Sequence, residues 1–208
     1  MKKIKLVLLG LVISSCAINP KIENYNMIGI DDFIDMNKYK THILIDLDAQ
    51  KLFLKKRFIQ KTYDISSSAF GIGSEKNSFK TPRGAHVISE KIGDKLPIGA
   101  ILKGRIWTQE IAELIKEPFD IKEDVITSRI LWLDGLEIRR NKGGNVDSKS
   151  RYIYIHGTAE EGLIGNPASL GCIRMLNKDV IELFKNVTVG TQVLIYSNKD
   201  AYKDYEAI

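Results

Sequence analysis

Hydrophobic residues recur at every second position in the segment HILIDLDAQKLFLKK, where Ile43, Ile45 and Leu47 precede the polar stretch Asp48-Ala49-Gln50 and Leu52 and Leu54 follow it. A period of two puts alternate side chains on one face of a strand, so this pattern predicts a β-hairpin. The same rhythm, broken by clusters of Gly, Pro, Asn and Asp, predicts strands over 63–67, 85–89, 125–133, 151–155 and 192–196. Helical spacing is rarer. It marks a short amphipathic piece at 30–36, a helix over 109–116 capped by Thr108, and one over 178–184. In the last, Val180, Ile181 and Phe184 share a face, Asn177 serves as N-cap and Asp179 favours the first turn. The predicted fold is mainly β with one or two short helices, with no internal repeat.

The first residues follow a different logic. Lys2, Lys3 and Lys5 flank an apolar run from Ile4 to Ile13, and Ser14 and Ser15 lead to Cys16. That run is shorter than the ~20 residues needed to cross a bilayer and has the layout of an export signal. The ISSC ending resembles the bacterial lipobox, which implies removal of 1–15 and lipidation of Cys16. Polar, irregular sequence then predicts a tether over 16–40, a catalytic domain over 41–198 and a tail over 199–208. The expected location is the periplasmic side of the cell envelope, anchored by lipid, with the outer membrane favoured because Ala17 follows the cysteine.

The 208 residues, 44% of them hydrophobic, suffice for one domain with a full core. The net charge of +5 falls to +2 once the three lysines of the signal are removed, and no arginine-rich helix is present, so nucleic acid is not an expected partner. With Cys16 lipidated, Cys172 is left alone and no disulfide forms. His42 and His86 lack metal-ligand spacing, and neither a metal nor a cofactor is expected.

An exported protein that keeps one thiol raises the question of its use. His156 in YIYIHGT and Cys172 in SLGCIRM stand sixteen positions apart. A thiol and an imidazole that takes its proton are the minimum for acyl transfer, and Gly171 lets a substrate approach backbone N–H donors. Each residue also has a plainer reading: Cys172 as a small core residue, His156 as a structural strand end, Arg174 as a surface ion-pair partner, Ser169 and Thr158 as turn hydroxyls, and Tyr154 as a packed side chain.

The stretch HGTAEEGLIGNPASLGCIRM over 156–175, together with TPRG at 81–84, resembles the L,D-transpeptidase catalytic domain of the YkuD type, over about residues 41–196. The resemblance implies a β-sandwich whose cleft holds the cysteine, and an enzyme that remodels peptidoglycan. Such an enzyme cleaves the diaminopimelate–D-alanine bond of a tetrapeptide stem and transfers the acyl group to an amine, giving a 3–3 cross-link or attachment of an envelope protein. It makes Cys172 the nucleophile, His156 the base, Gly171 a backbone oxyanion donor and the Gly157 carbonyl the group that orients His156. Arg174 is a candidate for binding a stem-peptide carboxylate, with Ser169, Thr158 and Tyr154 as further substrate contacts. Many relatives carry histidine where this chain has Leu170. Water as acceptor, in a carboxypeptidase or amidase, and an inactive wall-binding lipoprotein are the alternatives.

Overall fold

A computed structural model of the chain describes residues 28–121 and 124–198. The expected export signal, Cys16, the expected tether up to residue 27 and the tail from 199 onward lie outside the described residues.

Among the described residues ten strands and two α-helices follow in chain order: α1 Ile30–Asn37, β1 His42–Asp46, β2 Lys51–Lys56, β3 Ile59–Ser66, β4 Gly84–Ile92, β5 Ala100–Lys103, β6 Ile106–Ile111, β7 Ile126–Gly135, β8 Tyr154–Thr158, β9 Ile173–Met175, α2 Asn177–Asn186 and β10 Gln192–Tyr196. The strands join in the order β4-β10-β1-β2-β3-β9-β8-β7-β5-β6, and β4 also pairs with β7. That extra pairing closes eight strands into a flattened barrel, leaving the β5–β6 hairpin as a flap beyond β7. Closure removes the exposed sheet edge along the ring.

The alternation of the sequence sets what faces inward. Ile43, Ile45, Leu52, Leu54, Ile155, Ile173 and Ile195 are all at most 1% exposed and meet in one cluster with Val180, Leu183 and Phe184 of α2. Truncating one such side chain to alanine costs about 2–5 kcal/mol through lost transfer energy and the cavity left behind.

Helix α1 is docked on the sheet: Phe33, 1% exposed, packs with Leu44 and Leu194. The packed chain therefore begins ahead of residue 41, inside the stretch expected to be a tether. The expected helix over 109–116 is not formed. Its first residues belong to β6, and Ile115 pairs with Glu160, its N–H donating to Ala159 O at 2.8 Å and its carbonyl accepting from Gly162 N at 3.0 Å. Eight residues make a marginal helix in isolation, and these intersegment bonds outcompete it. Thr108 caps no helix; its hydroxyl donates across the hairpin to Ile101 O.

Asn177 is likewise not an N-cap. It is the first residue of α2, 0% exposed, and its side chain points into the fold. Glu161 supplies the cap instead, Oε1 accepting from the Asn177 N–H at 2.9 Å.

Candidate active site

Strands β8 and β9 run parallel, with Ile155 opposite Ile173 and His156 opposite Arg174. Because Ile155 and Ile173 point into the core, the alternation turns Tyr154, His156, Cys172 and Arg174 to the opposite face. Strand β7 adds Ile130 and Trp132, opposite His156 and Tyr154. The sixteen-residue gap in sequence thus becomes a two-position offset between neighbouring strands, which keeps both side chains on one face.

Two hydrogen bonds hold the sulfur. Cys172 Sγ donates to Tyr152 O at 3.3 Å and accepts from Tyr154 N–H at 3.4 Å. Tyr152 adopts a left-handed backbone (φ +58°), which costs energy for a non-glycine residue. Cys172 is partly open to solvent as a residue, yet its sulfur sits deep enough that burial pushes the thiol up to about 12, against a smaller lowering by Tyr154 N–H. The resting group is a neutral thiol.

The imidazole of His156 is 1% exposed, and its Nδ1 lies 2.7 Å from Gly157 O. A carbonyl only accepts, so Nδ1 carries the proton and Nε2 keeps its lone pair. Burial lowers its pKa, with Arg174 pushing the same way and Asp124 opposing. Imidazole and thiol are both neutral, and among the described residues no hydrogen bond joins them. Gly157 has no room for a side chain: a Cβ there would stand 2.6 Å from Asn177 Oδ1 and 2.8 Å from Thr127 O.

The turn before the cysteine is tied by hydroxyls. Ser169 Oγ accepts from Gly171 N at 3.1 Å and donates to Cys172 O at 2.6 Å. Thr81 of TPRG, 0% exposed, donates to Gly171 O at 3.0 Å. Gly171 has φ +120° and a Cβ would meet Lys80 O at 3.2 Å, so glycine is required by backbone and space alike.

This geometry revises several expectations. Gly171 N–H is spent on Ser169, so the backbone donor aimed at the sulfur is Tyr154 N–H. Arg174 is 2% exposed, with Nη1 on Glu160 Oε2 at 2.7 Å and Nη2 on Asp124 Oδ2 at 2.8 Å. An arginine whose two terminal amines are held by acids inside the fold presents no fork to a substrate carboxylate. Ser169 and Thr158 are fully buried, the latter accepting from Glu160 N at 3.1 Å, and both hold loops. Tyr154 is 4% exposed; its ring packs edge-on to Trp132 and its hydroxyl accepts from Arg105. His86 is structural, bridging Gly84 O and Ser148 Oγ at 2.9 Å each.

Sequence reasoning missed four contributors: the Tyr152 carbonyl, the Asn177 clamp, the two acids on Arg174, and Arg105. Thr81 was visible within TPRG, but its bond to Gly171 was not. A cleft of about 380 Å³, lined by Trp132, Asp134, Lys142, Asp147, Lys149, Ser150 and Tyr152, meets the thiol's surroundings at Tyr152.

Over residues 40–195 the chain matches the L,D-transpeptidase catalytic domain, YkuD type. Two Bacillus subtilis proteins provisionally named as L,D-transpeptidases are similar over shorter stretches. YqjB is 44% identical over 54 residues, covering 26% of this chain and 31% of its own, and YkuD is 50% identical over 62 residues, covering 27% and 38%. The matched stretches thus span about a third of each relative. Solved L,D-transpeptidases from Mycobacterium smegmatis (17% identity, TM-score 0.43, covering 76% of this chain and 59% of that one) and Enterococcus faecium (21%, 0.46, 75% and 49%) overlap it in part. On the match over 40–195, the chain belongs to the YkuD family of L,D-transpeptidase catalytic domains.

Proposed function

We propose that this protein is a peptidoglycan L,D-transpeptidase in which Cys172 attacks the diaminopimelate carbonyl of a tetrapeptide stem and His156 Nε2 takes the thiol proton. The observation that carries the reading is the pair of neutral groups on one strand face: a thiol with a backbone N–H aimed at its sulfur, and an imidazole whose free nitrogen is fixed by Gly157 O.

Transferring the proton before attack is costly. Burial pushes the thiol up to about 12 and lowers the imidazole, so the proton favours the sulfur at rest. Proton removal therefore accompanies S–C bond formation, as general-base catalysis, rather than preceding it as a stored ion pair. The S–H leaves Tyr152 O and turns toward His156 as the donor enters. The oxyanion forms beside the sulfur, where Tyr154 N–H can shift onto it; one such donor is worth about 3–4 kcal/mol. Collapse breaks the C–N bond, the departing D-alanine amine takes the proton from His156, and a thioester remains. An acceptor amine then attacks and gives a proton to His156, which returns it to the departing sulfur, restoring the thiol. No cofactor enters this cycle.

Leu170, 50% exposed beside the glycine, offers the acceptor an apolar flank where many relatives have histidine. Placement in the envelope through a lipid on Cys16 fits a substrate fixed in the cell wall, and peptidoglycan stems, with an envelope protein as a further acceptor, are the partners of this reading.

Muropeptide analysis of wild type, deletion and Cys172→Ala strains tests it. Dimers joined 3–3 that vanish in both mutants support transpeptidation, and excess tetrapeptide in both assigns the hydrolytic alternative. Wall chemistry in the Cys172→Ala strain that matches wild type, while the deletion differs, rejects the catalytic role.

A further inference from the structure

We infer that Arg105, at the tip of the β5–β6 hairpin, is the residue that binds the substrate carboxylate next to Cys172. The inference rests on the reading of Cys172 as the attacking group, and it moves to the flap the role that sequence had assigned to Arg174.

The hairpin turns tightly through Lys103, Gly104 and Arg105, with Arg105 left-handed at φ +70°, so its side chain folds back toward the sheet. There the guanidinium is gripped without being neutralised. Nη1 donates to Tyr154 Oη at 3.2 Å, and the group lies 4.7 Å from the Trp132 ring centre and 5.2 Å from that of Tyr152. Aromatic faces and a phenol orient a cation, yet none cancels its charge.

Other cations nearby are committed. Arg174 is buried between two acids. Arg151 donates to Lys80 O at 2.7 Å and reaches Gly73 O and Ser78 Oγ. Lys149 pairs with Glu90 at 3.0 Å, which also occupies an acid within electrostatic reach of Arg105. Among the described residues neither Arg105 nor Arg151 makes an ion pair, but Arg151 spends both terminal amines on neutral acceptors, whereas Arg105 spends one N–H on Tyr154.

The two tyrosines that hold the guanidinium also hold the sulfur, one through its N–H and the other through its carbonyl. An anion on Arg105 is therefore held about one tyrosine side chain away from the thiol. A tetrapeptide donor has such an anion, since its terminal carboxylate belongs to the residue that leaves. A forked guanidinium with one N–H spent on Tyr154 retains the two parallel donors a carboxylate accepts.

The test uses full-chain protein in detergent and two small probes of one shape. Iodoacetate and iodoacetamide each form an S–C bond at Cys172 with loss of iodide and the thiol proton, and only iodoacetate carries a carboxylate. At low salt the ratio of their rates should fall about tenfold in Arg105→Gln, and stay within about twofold in Lys103→Gln, which removes the same charge from the same hairpin turn. A ratio unchanged in Arg105→Gln, or equal falls in both variants, overturns the inference. A second arm compares a tetrapeptide stem with its C-terminal amide. Arg105→Gln should lower kcat/KM on the acid about tenfold or more and leave the amide unaffected. If the probe ratio falls while wild-type protein turns over neither peptide, Arg105 stands as the carboxylate site and the transpeptidase reading fails.

Discussion

Asn177→Ala is expected to be among the most damaging single changes beside the site. The side chain is 0% exposed and makes four bonds: Nδ2 donates to Thr158 O at 2.7 Å and Glu161 Oε1 at 2.9 Å, and Oδ1 accepts from Thr127 Oγ1 at 2.7 Å and Ser128 Oγ at 2.5 Å. Alanine strands the Thr158 carbonyl and the two hydroxyls inside the fold, while Glu161 keeps the backbone N–H of residue 177. Each stranded buried group costs about 1–3 kcal/mol; with some relief from hydroxyls that can turn to other acceptors, the sum is about 4 kcal/mol. In a domain of this size that lowers Tm by about 8–16 °C. Urea unfolding of wild type and Asn177→Ala, followed by tyrosine and tryptophan fluorescence, measures it. Asn177→Asp is a second probe: it keeps the acceptors for both hydroxyls, loses the donors and sets a carboxylate against Glu161, so it should also destabilise. A loss below about 1 kcal/mol in the alanine variant would refute the reasoning, since the clamp would then hold nothing.

Three further outcomes are expected. The iodoacetamide rate of native protein should climb with pH to about 10 without levelling, because burial holds the thiol near 12, whereas unfolded chain should level near the ordinary thiol value; a native plateau near pH 7 would mean a resting thiolate–imidazolium pair. Burial lowers His86 from 6.5 to about 4, so between those values the unfolded state binds a proton that the folded state refuses. Stability is unaffected above pH 6.5 and falls by a total of about 3 kcal/mol on acidification to pH 4, and urea midpoints should show that slope reduced in His86→Gln. Gly157→Ala forces a methyl against Asn177 Oδ1 and Thr127 O and should cost about 1–3 kcal/mol in the same unfolding assay, together with most thioester formation.

Much of this architecture could be read from the chain because its strands obey a period of two. The β1–β2 hairpin, β10 and α2 follow from the placement of Ile43, Leu54, Val193 and Val180, each buried as its spacing requires. The segment after Thr108 misled because Ile111, Leu114 and Ile115 have helical spacing, while the bonds of Ile115 to Ala159 and Gly162 come from residues more than forty positions away. The site divides in the same way. His156, Gly157, Gly171 and Cys172 lie in two short motifs, so their proximity could be suspected from local sequence. Ion pairing was one of two readings of Arg174, but its burial between acids was not legible, because Asp124 and Glu160 are ordinary in type and nothing local marks either as its partner. Tyr152 acts through its carbonyl and Tyr154 through its N–H, groups that every residue possesses, so side-chain chemistry gave no sign of either.

Intact-protein mass spectrometry of the full chain mixed with a disaccharide-tetrapeptide donor tests the central claim most directly. The account predicts a thioester adduct on Cys172 equal to the donor less D-alanine, lost in Cys172→Ala and formed far more slowly in His156→Ala. An adduct that persists in Cys172→Ala, or forms at the wild-type rate in His156→Ala, would contradict it.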